Sequence, residues 1–332
     1  MKIHMLASWK HYVDHILPVW NALPDDVRGS VFVTFKEEAE RVAASGVKVT
    51  SGKIVIDPDD KYIIAGYADI KRVPRNADIC LMEHGAGQTY ANVRSGSYAG
   101  GRDRGRVGLF IVPNERVASV NMAAYPDATT VAAGSPRLDA LYMARLRNEH
   151  KRTGNKLAVS FHWRCVLCPE TNTAFDEWKK DIVNLACTGN QHILGHGHPR
   201  LWEEISDFWK SSGIEPVQDW LTVVRRADVY ACDNSSTMFE AAAIGLPVVL
   251  LNSRRWRRDV DHGLRFWDEA GMGPNLFAGD SIIDAVNNVN DYSDALRATA
   301  ERTYTNLPDG TGTATTEAVD AIVRWAKNSK TA

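Results

Sequence analysis

The residues that could do chemistry in this chain lie in short polar clusters that follow apolar runs. In the second half these clusters are His162-Trp163-Arg164, His196-Gly197-His198-Pro199-Arg200 and Asp233-Asn234-Ser235-Ser236. Imidazole, guanidinium and hydroxyl groups bind phosphate oxygens, and a polar turn before a helix adds backbone N–H groups. We therefore expect an anion site here, with a nucleoside diphosphate as its ligand.

Two side chains are expected to hold the phosphates directly. His198, placed by Pro199, would direct its imidazole at a phosphate, and Arg164 or Arg200 would add a bidentate guanidinium. Chelation of a metal by His196 and His198 is the alternative, although no carboxylate follows nearby to complete the ligand set. We expect the reaction to need neither a metal nor a cofactor.

The third cluster has the composition of a helix start. Asp233 and the serines after it have short polar side chains that accept hydrogen bonds from N–H groups at a helix start. The N–H groups at Ser235 and Ser236 are expected to bind the pyrophosphate, with Asp233 in the same turn. Glu240 follows one helical turn after Ser236 and would accept hydrogen bonds from the ribose hydroxyls. An ordinary helix cap is the plain alternative.

Two further clusters follow apolar runs in the first half. His84 lies in Glu83-His84-Gly85, and its imidazole could act as a general base that Glu83 orients. Arg137, in Gly134-Ser135-Pro136-Arg137, is a second candidate cation for the donor. Residues 94–106 are rich in glycine and arginine and are expected to form a mobile loop.

Alternating strands and helices must position these clusters. Short apolar runs alternate with helical segments in two consecutive series, which predicts parallel α/β sheets. Ligands of such sheets bind beyond the carboxyl ends of the strands. The predicted strands are 3–7, 31–35, 61–65, 79–82, 109–112, 130–133, 156–161, 192–194, 229–232 and 248–251. The main predicted helices are 8–22, 36–44, 114–123, 173–187, 201–210, 220–226, 237–244, 281–289, 295–304 and 316–327.

Composition indicates a globular protein with no general attraction for nucleic acid. The 332 residues are 44% hydrophobic and 24% charged, with a net charge of −2. The apolar run at the N-terminus is too short for a signal peptide, and no stretch approaches the ~18 apolar residues of a spanning helix. We expect a cytoplasmic protein without an integral membrane segment. Cys165-Val166-Leu167-Cys168 has metal-like spacing, but no second pair accompanies it.

These motifs, in this order, resemble the CDP-glycerol glycerophosphotransferases of teichoic-acid synthesis, within the GT-B superfamily. Those enzymes have a strand ending in Trp-Arg, as at Trp163-Arg164, and another ending in His-Pro, as at His198-Pro199. An acidic-x-Ser-Ser turn before a helix corresponds to 233–236. Their His-Gly acceptor motif is similar to His84-Gly85, and their Gly-x-Pro-Arg-x-Asp to 134–139. Compact chains of this kind also resemble phage-encoded glycosyltransferases.

The resemblance implies a fold and an activity. The fold would be GT-B, with two Rossmann-like domains facing a central cleft: an acceptor domain at 1–150, a donor domain at 155–310, and a C-terminal helix at 311–332 crossing back. The activity would be transfer of a sugar, or of glycerol phosphate, from a nucleoside diphosphate to a polyol, glycan or protein acceptor, with His84 as the base. UDP-N-acetylglucosamine 2-epimerases share the Gly-x-Pro-Arg motif. An epimerase and a non-catalytic nucleotide- or glycan-binding protein therefore remain the alternatives.

Overall fold

The computed structural model describes residues 1–50, 60–86, 102–148, 154–164, 172–188, 191–256 and 271–328. The chain forms two compact units. The first is built from Met1–Gln88, Val93–Ala140 and Tyr304–Ala332, and the second mainly from Leu141–Thr303. Each unit has a parallel sheet of six strands, as the alternating pattern predicts.

The sheet of the first unit has the strand order β2-β1-β3-β4-β5-β6. Its strands are short apolar runs buried on both faces, the pattern of a parallel sheet with a helical layer on each side. The strands are β1 (Ile3–Ala7), β2 (Arg28–Val33), β3 (Lys61–Ile64), β4 (Asp78–Met82), β5 (Val107–Ile111) and β6 (Thr129–Val131). The helices are α1 (Lys10–Ala22), α2 (Lys36–Ala44), α3 (Glu115–Ala124) and α4 (Pro136–Leu146), through which the chain enters the second unit.

The sheet of the second unit has the order β12-β11-β10-β7-β8-β9, so β10, β7 and β8 are direct neighbours. Its core contains the fully buried Trp178 and Trp209. The strands are β7 (Lys156–Phe161), β8 (His192–Gly197), β9 (Glu215–Pro216), β10 (Val229–Cys232), β11 (Val248–Leu251) and β12 (Asn275–Leu276). The helices are α5 (Phe175–Thr188), α6 (Trp202–Ser211), α7 (Trp220–Arg226), α8 (Thr237–Ala243), α9 (Ile282–Asn287) and α10 (Ser293–Thr303).

The C-terminal helix α11 (Thr313–Asn328) belongs to the first unit. Its small residues and Ile322 are buried in the core that α1 supplies with Val13 and Ile16. The expectation that the end of the chain returns to the first domain is confirmed. The helix begins at Thr313 rather than at Thr316, because Asp139 accepts hydrogen bonds from the N–H and the hydroxyl of Thr315 and holds the first turn.

One other helix start differs from prediction. Helix α1 begins at Lys10 rather than at Ser8: Trp9 occupies the cap position without a side-chain hydrogen bond, and the N–H of Ser8 donates to the buried Asp69. The start of α3 agrees with prediction, since the side chain of Asn114 caps the helix by accepting from the N–H of Val117 at 2.9 Å. Within the described part of the chain, the helices fall short of the length and apolar character needed to cross a membrane.

Candidate functional site

His84 directly follows β4, at the carboxyl end of the first sheet. Its Nδ1 lies 2.5 Å from the carbonyl oxygen of Ala65, the residue after the neighbouring strand β3. A carbonyl oxygen only accepts, so Nδ1 carries a proton, and in the neutral imidazole Nε2 carries the lone pair. The backbone carbonyl of Ala65 thus selects the neutral tautomer in which the half-buried imidazole is a base at Nε2.

The carbonyl of Ala65, rather than Glu83, therefore orients His84 at Nδ1. The carboxylate of Glu83 instead accepts a hydrogen bond from the hydroxyl of Tyr67. The guanidinium of the buried Arg104 lies 3.6 Å from the centre of the Tyr67 ring. Successive residues at a strand end point apart, which explains why Glu83 and His84 have separate partners.

Helix α1 places three aromatic residues around His84. His11 and His15 are four residues apart and so lie on one helix face, with ring centres 6.4 Å and 6.0 Å from that of His84. The ring of Tyr12 packs edge-on at 4.7 Å. Gly66 makes this possible, because a Cβ atom at that position would overlap the Tyr12 ring.

Arg137 lies in this cluster of the first unit. Its guanidinium donates to Nε2 of His15 at 2.6 Å, and both side chains are buried. Burial lowers the pKa of His15 well below its ordinary value, and the charges of Arg137, His84 and His11 lower it further. His15 is therefore a neutral acceptor for Arg137 at neutral pH. The expectation that Arg137 binds the donor nucleotide stays a prediction.

In the second unit, strand order brings the three predicted clusters to one sheet edge. The clusters beginning at His162, His198 and Asp233 follow β7, β8 and β10, which are neighbours in the sheet. The N–H of His198 donates to the carbonyl of Phe161 at the end of β7. One difference concerns His196: β8 continues through Gly197, so His196 lies inside the strand and is buried.

His198 has the tautomer opposite to that of His84. Its Nδ1 accepts the backbone N–H of Arg200 at 3.1 Å, so Nε2 carries the proton and is a donor. The rings of His162 and Trp163 pack against the imidazole, at 5.1 Å and 5.9 Å between centres. The exposed Arg200 guanidinium lies 4.4 Å over the Trp163 ring. The imidazole of His198 and the guanidinium of Arg200 therefore present an N–H donor and a cation side by side.

Arg164 is held by two carboxylates. Its guanidinium donates to Asp176 at 2.6 Å and to Glu204 at 2.8 Å. These hydrogen bonds raise the pKa of Arg164, and Arg164 in turn lowers the pKa of Asp176 to about 2. A role for Arg164 in binding phosphate would require these ion pairs to open, whereas Arg200 stacks beside His198.

Asp233 ties two loops to the end of β10 instead of capping a helix. One carboxylate oxygen accepts the N–H of His162 at 2.7 Å. The other accepts the N–H of Ala174 and the hydroxyl of Thr173, each at 3.1 Å. Burial raises the pKa of Asp233 to about 7, and the hydrogen bonds act in the opposite direction. Its contacts are therefore those of a structural carboxylate beneath the predicted donor loop.

Of the serines after Asp233, Ser235 is buried and Ser236 is half-buried. Ser236 occupies the cap position of α8 without a side-chain cap hydrogen bond, which corrects the predicted capping role. The hydroxyl of Ser235 contacts that of Thr237 at 2.8 Å. Because α8 has only seven residues, its dipole is small, and the anion site expected here would depend mainly on hydroxyl and imidazole groups. Glu240, the predicted ribose ligand, is only 2% exposed.

Other predicted features lie partly or wholly outside the described residues. The glycine- and arginine-rich loop at 94–106 is described only from residue 102, and the Cys165/Cys168 pair is not described. In the basic run Arg254-Arg255-Trp256-Arg257-Arg258, Arg254 stacks on Phe277 at 4.7 Å, while residues 257 and 258 are not described. Within the described ranges, no group of three His, Cys, Asp or Glu side chains is arranged to hold a metal ion.

Sequence reasoning missed the α1 residues near His84. The available signal was the His11-x-x-x-His15 spacing directly after the first predicted strand. A helix that starts at a strand end places its first turns at the same sheet edge as the neighbouring strand ends. That rule would have placed both histidines near His84.

Comparison with known proteins identifies the fold. No protein-family model and no curated protein sequence matches the chain. A UDP-GlcNAc 2-epimerase from Neisseria meningitidis, bound to UDP-GlcNAc, superposes with a TM-score of 0.65 and 16% identity, covering 98% of this chain and 100% of that one. The wall teichoic acid polymerase TagF superposes with a TM-score of 0.65 and 13% identity, covering 100% of this chain and 90% of that one.

A third structure of the same architecture is the Methanocaldococcus jannaschii UDP-GlcNAc 2-epimerase in complex with UDP-GlcNAc and UDP. Its TM-score is 0.60 at 12% identity, covering 98% of this chain and 100% of that one. Similarity at these identities establishes the fold alone. The chain has the GT-B fold, as its motifs suggest, with one parallel Rossmann-like sheet in each unit.

Proposed function

We propose that this protein is a nucleoside-diphosphate-dependent transferase. The observation that carries the proposal is the pair of opposite imidazole tautomers: His84 presents a lone pair at Nε2, and His198 presents an N–H at Nε2. The lone pair of His84 is suited to remove a proton, and the N–H of His198 is suited to donate a hydrogen bond to a phosphate oxygen. Transfer of a group from a diphosphate to a hydroxyl needs a base for the hydroxyl and a hydrogen-bond donor for the leaving phosphate.

The donor site of this proposal lies at the ends of β7, β8 and β10. The N–H of His198 and the guanidinium of Arg200 bind the diphosphate, and the hydroxyls of Ser235 and Ser236 line the same edge. Charge grows on the leaving phosphate during transfer, so fixed donors at this point stabilise the transition state more than the ground state. Glu240 is assigned to the ribose hydroxyls.

The acceptor side belongs to the first unit. Nε2 of His84 takes the proton of an acceptor hydroxyl as its oxygen attacks the donor. In sugar transfer the oxygen bonds to the anomeric carbon, the carbon–oxygen bond breaks, and a nucleoside diphosphate leaves. In glycerol phosphate transfer the oxygen bonds to the β-phosphorus, the pyrophosphate bridge breaks, and a nucleoside monophosphate leaves. We favour sugar transfer.

The nucleotide released from a donor distinguishes these reactions. The protein is incubated with UDP-GlcNAc or CDP-glycerol and a polyol or glycan acceptor, and the nucleotides are separated by chromatography. We expect acceptor-dependent release of UDP from UDP-GlcNAc. Acceptor-dependent release of CMP from CDP-glycerol would identify a glycerophosphotransferase instead. The same assay is repeated with GDP- and TDP-linked sugars. If no nucleotide is released from any of these donors in the presence of an acceptor, the proposed transferase activity is contradicted.

An epimerase is the second candidate, because the Neisseria meningitidis and Methanocaldococcus jannaschii epimerases share the fold over 98% of this chain. An epimerase returns the sugar to its nucleotide, so it needs no acceptor and changes only the configuration of the sugar. Mass-neutral conversion of UDP-GlcNAc to a second nucleotide sugar, without added acceptor, would favour this function. The same chromatographic assay detects that product.

A further inference from the structure

Hydrogen-bonded hydroxyl groups lie beneath the donor edge of the second unit. The Tyr230 hydroxyl lies 2.6 Å from that of Thr237, which lies 2.8 Å from that of Ser235. We call these three residues the hydroxyl chain. A second hydrogen-bonded pair is His196 and Ser160, whose Nδ1 and hydroxyl lie 2.7 Å apart.

Strand register places Ser160 and His196 on the sheet face of Tyr230, the first residue of the hydroxyl chain. Ser160 on β7 is paired with His196 on β8 on one side and with Cys232 on β10 on the other. Tyr230 lies two residues before Cys232, so its side chain is on the same face of the sheet. Trp220 of α7 packs on the rings of both His196 and Tyr230 and shields them from water. Ser160, His196 and Tyr230 are each less than 7% exposed.

A chain of this kind has a direction. Each hydroxyl has one proton, so it can donate to only one neighbour while it accepts from the other. If Tyr230 donates to Thr237 and Thr237 donates to Ser235, the O–H of Ser235 is left to point outward. If Ser235 donates to Thr237, Thr237 donates to Tyr230, and Ser235 offers a ligand only an acceptor. A phosphate oxygen accepts only, so phosphate binding selects the first direction.

The environment of Tyr230 keeps its hydroxyl available as a donor. Burial raises the pKa of the phenol well above its ordinary value, so Tyr230 keeps its proton and can pass a hydrogen bond to Thr237. In a buried chain whose members all point the same way, each hydrogen bond polarises and strengthens the next. The last hydroxyl therefore becomes a better donor to an anion than an isolated serine would be.

We infer that Tyr230 and Thr237 are positioning residues that orient the Ser235 hydroxyl as a hydrogen-bond donor to the diphosphate. The inference rests on the proposed function, since it needs a nucleoside diphosphate at this edge. It adds two residues that touch no substrate, one on strand β10 and one at the start of α8. It also assigns Tyr230, which looks like a core aromatic residue, a role in ligand affinity.

The test is a double-mutant cycle on Tyr230 and Ser235, with affinities for UDP and CDP measured by calorimetry. Tyr230→Phe removes only the hydroxyl, and we expect it to weaken diphosphate binding about fivefold to tenfold, as loss of an oriented hydrogen bond to a charged group would. Ser235→Ala is expected to weaken binding by a similar factor. The double variant should bind no more weakly than Ser235→Ala, because the two residues act through one hydroxyl.

Uridine and cytidine are the matched ligands, because they lack the phosphates. Tyr230→Phe should leave their affinities unchanged, whereas a general disturbance of the site would weaken both classes of ligand. Thr237→Ser keeps the hydroxyl and should retain diphosphate affinity, while Thr237→Val should lose it. Circular dichroism and the melting temperature check that each variant is folded.

Three outcomes would overturn the inference: unchanged diphosphate affinity in folded Tyr230→Phe, equal weakening for uridine and UDP, or additive losses in the double variant. Failure of the proposed function looks different. In that case the wild-type protein itself would bind none of UDP, CDP, GDP and TDP. If wild type binds and Ser235→Ala weakens binding while Tyr230→Phe does not, the donor site stands and the hydroxyl chain is purely structural.

Discussion

Replacing His84 with glutamine is expected to lower turnover about 100- to 10,000-fold while leaving donor affinity unchanged. The amide can still donate to the Ala65 carbonyl, so the side chain keeps its anchor, but it has no basic nitrogen. General base catalysis typically contributes a factor of this size. Donor affinity should persist because the residues assigned to the diphosphate belong to the second unit. Turnover is followed by nucleotide release, and affinity by calorimetry with UDP and CDP.

His192 provides the matched control for this substitution. It is an exposed histidine whose Nε2 lies 3.1 Å from Glu215, and it has no place in the proposed mechanism. His192→Gln should retain wild-type turnover. If a folded His84→Gln variant keeps turnover within about threefold of wild type, His84 is not the general base. The proposed activation of the acceptor hydroxyl would then be wrong as well.

Asp233→Asn is expected to abolish a pH dependence of stability. The carboxyl pKa is about 7 in the folded protein and close to 3.8 for the ordinary group, with burial as the main cause. Between these values the unfolded chain releases a proton that the folded protein keeps, so rising pH lowers the free energy of unfolding. One pKa unit corresponds to about 1.4 kcal/mol, so this single group accounts for a few kcal/mol.

The measurement is urea unfolding of both proteins at pH 5 and pH 8. The advantage of wild type over Asp233→Asn should be larger at pH 5, where the folded carboxyl is protonated, than at pH 8. Asp228→Asn, which removes a carboxylate that accepts the N–H of Lys156, controls for loss of a negative charge near β10. A difference between wild type and Asp233→Asn that does not vary with pH would contradict the assignment of a strongly raised pKa.

Strands and helices were the part of this fold that sequence could predict. β1, β7, β10 and β11 have the predicted bounds, because short apolar runs between turn residues are specific to buried parallel strands. The clusters at His84, His198 and Asp233 follow their strands as expected. These predictions depend on local patterns, which a single sequence contains.

The partners of the polar side chains could not be predicted in the same way. Asp233 was expected to cap the next helix, but its carboxylate bonds to His162 and Ala174, which are 71 and 59 residues away in the chain. Arg164 was expected at a phosphate and is held by Asp176 and Glu204. Composition shows that a residue can accept or donate hydrogen bonds. The choice among partners depends on strand order, which local patterns do not contain.

The surroundings of the hydroxyl chain illustrate the same limit. Ser160 and Tyr230 lie within the predicted strands 156–161 and 229–232, and His196 follows the predicted strand 192–194. Only the pairing of β7 between β8 and β10 brings Ser160 within hydrogen-bond reach of His196 and places both on the sheet face of Tyr230. The pattern of each strand alone does not contain this strand order.

Calorimetric titration of the wild-type protein with CDP, UDP, GDP and TDP tests the central claim most directly. A nucleoside diphosphate site at the ends of β7, β8 and β10 requires at least one of the four to bind, and to bind more tightly than its nucleoside. His198→Ala should weaken that binding about tenfold or more, since it removes a donor to a charged oxygen. Absence of binding by all four, or equal binding of nucleoside and diphosphate, would contradict the claim.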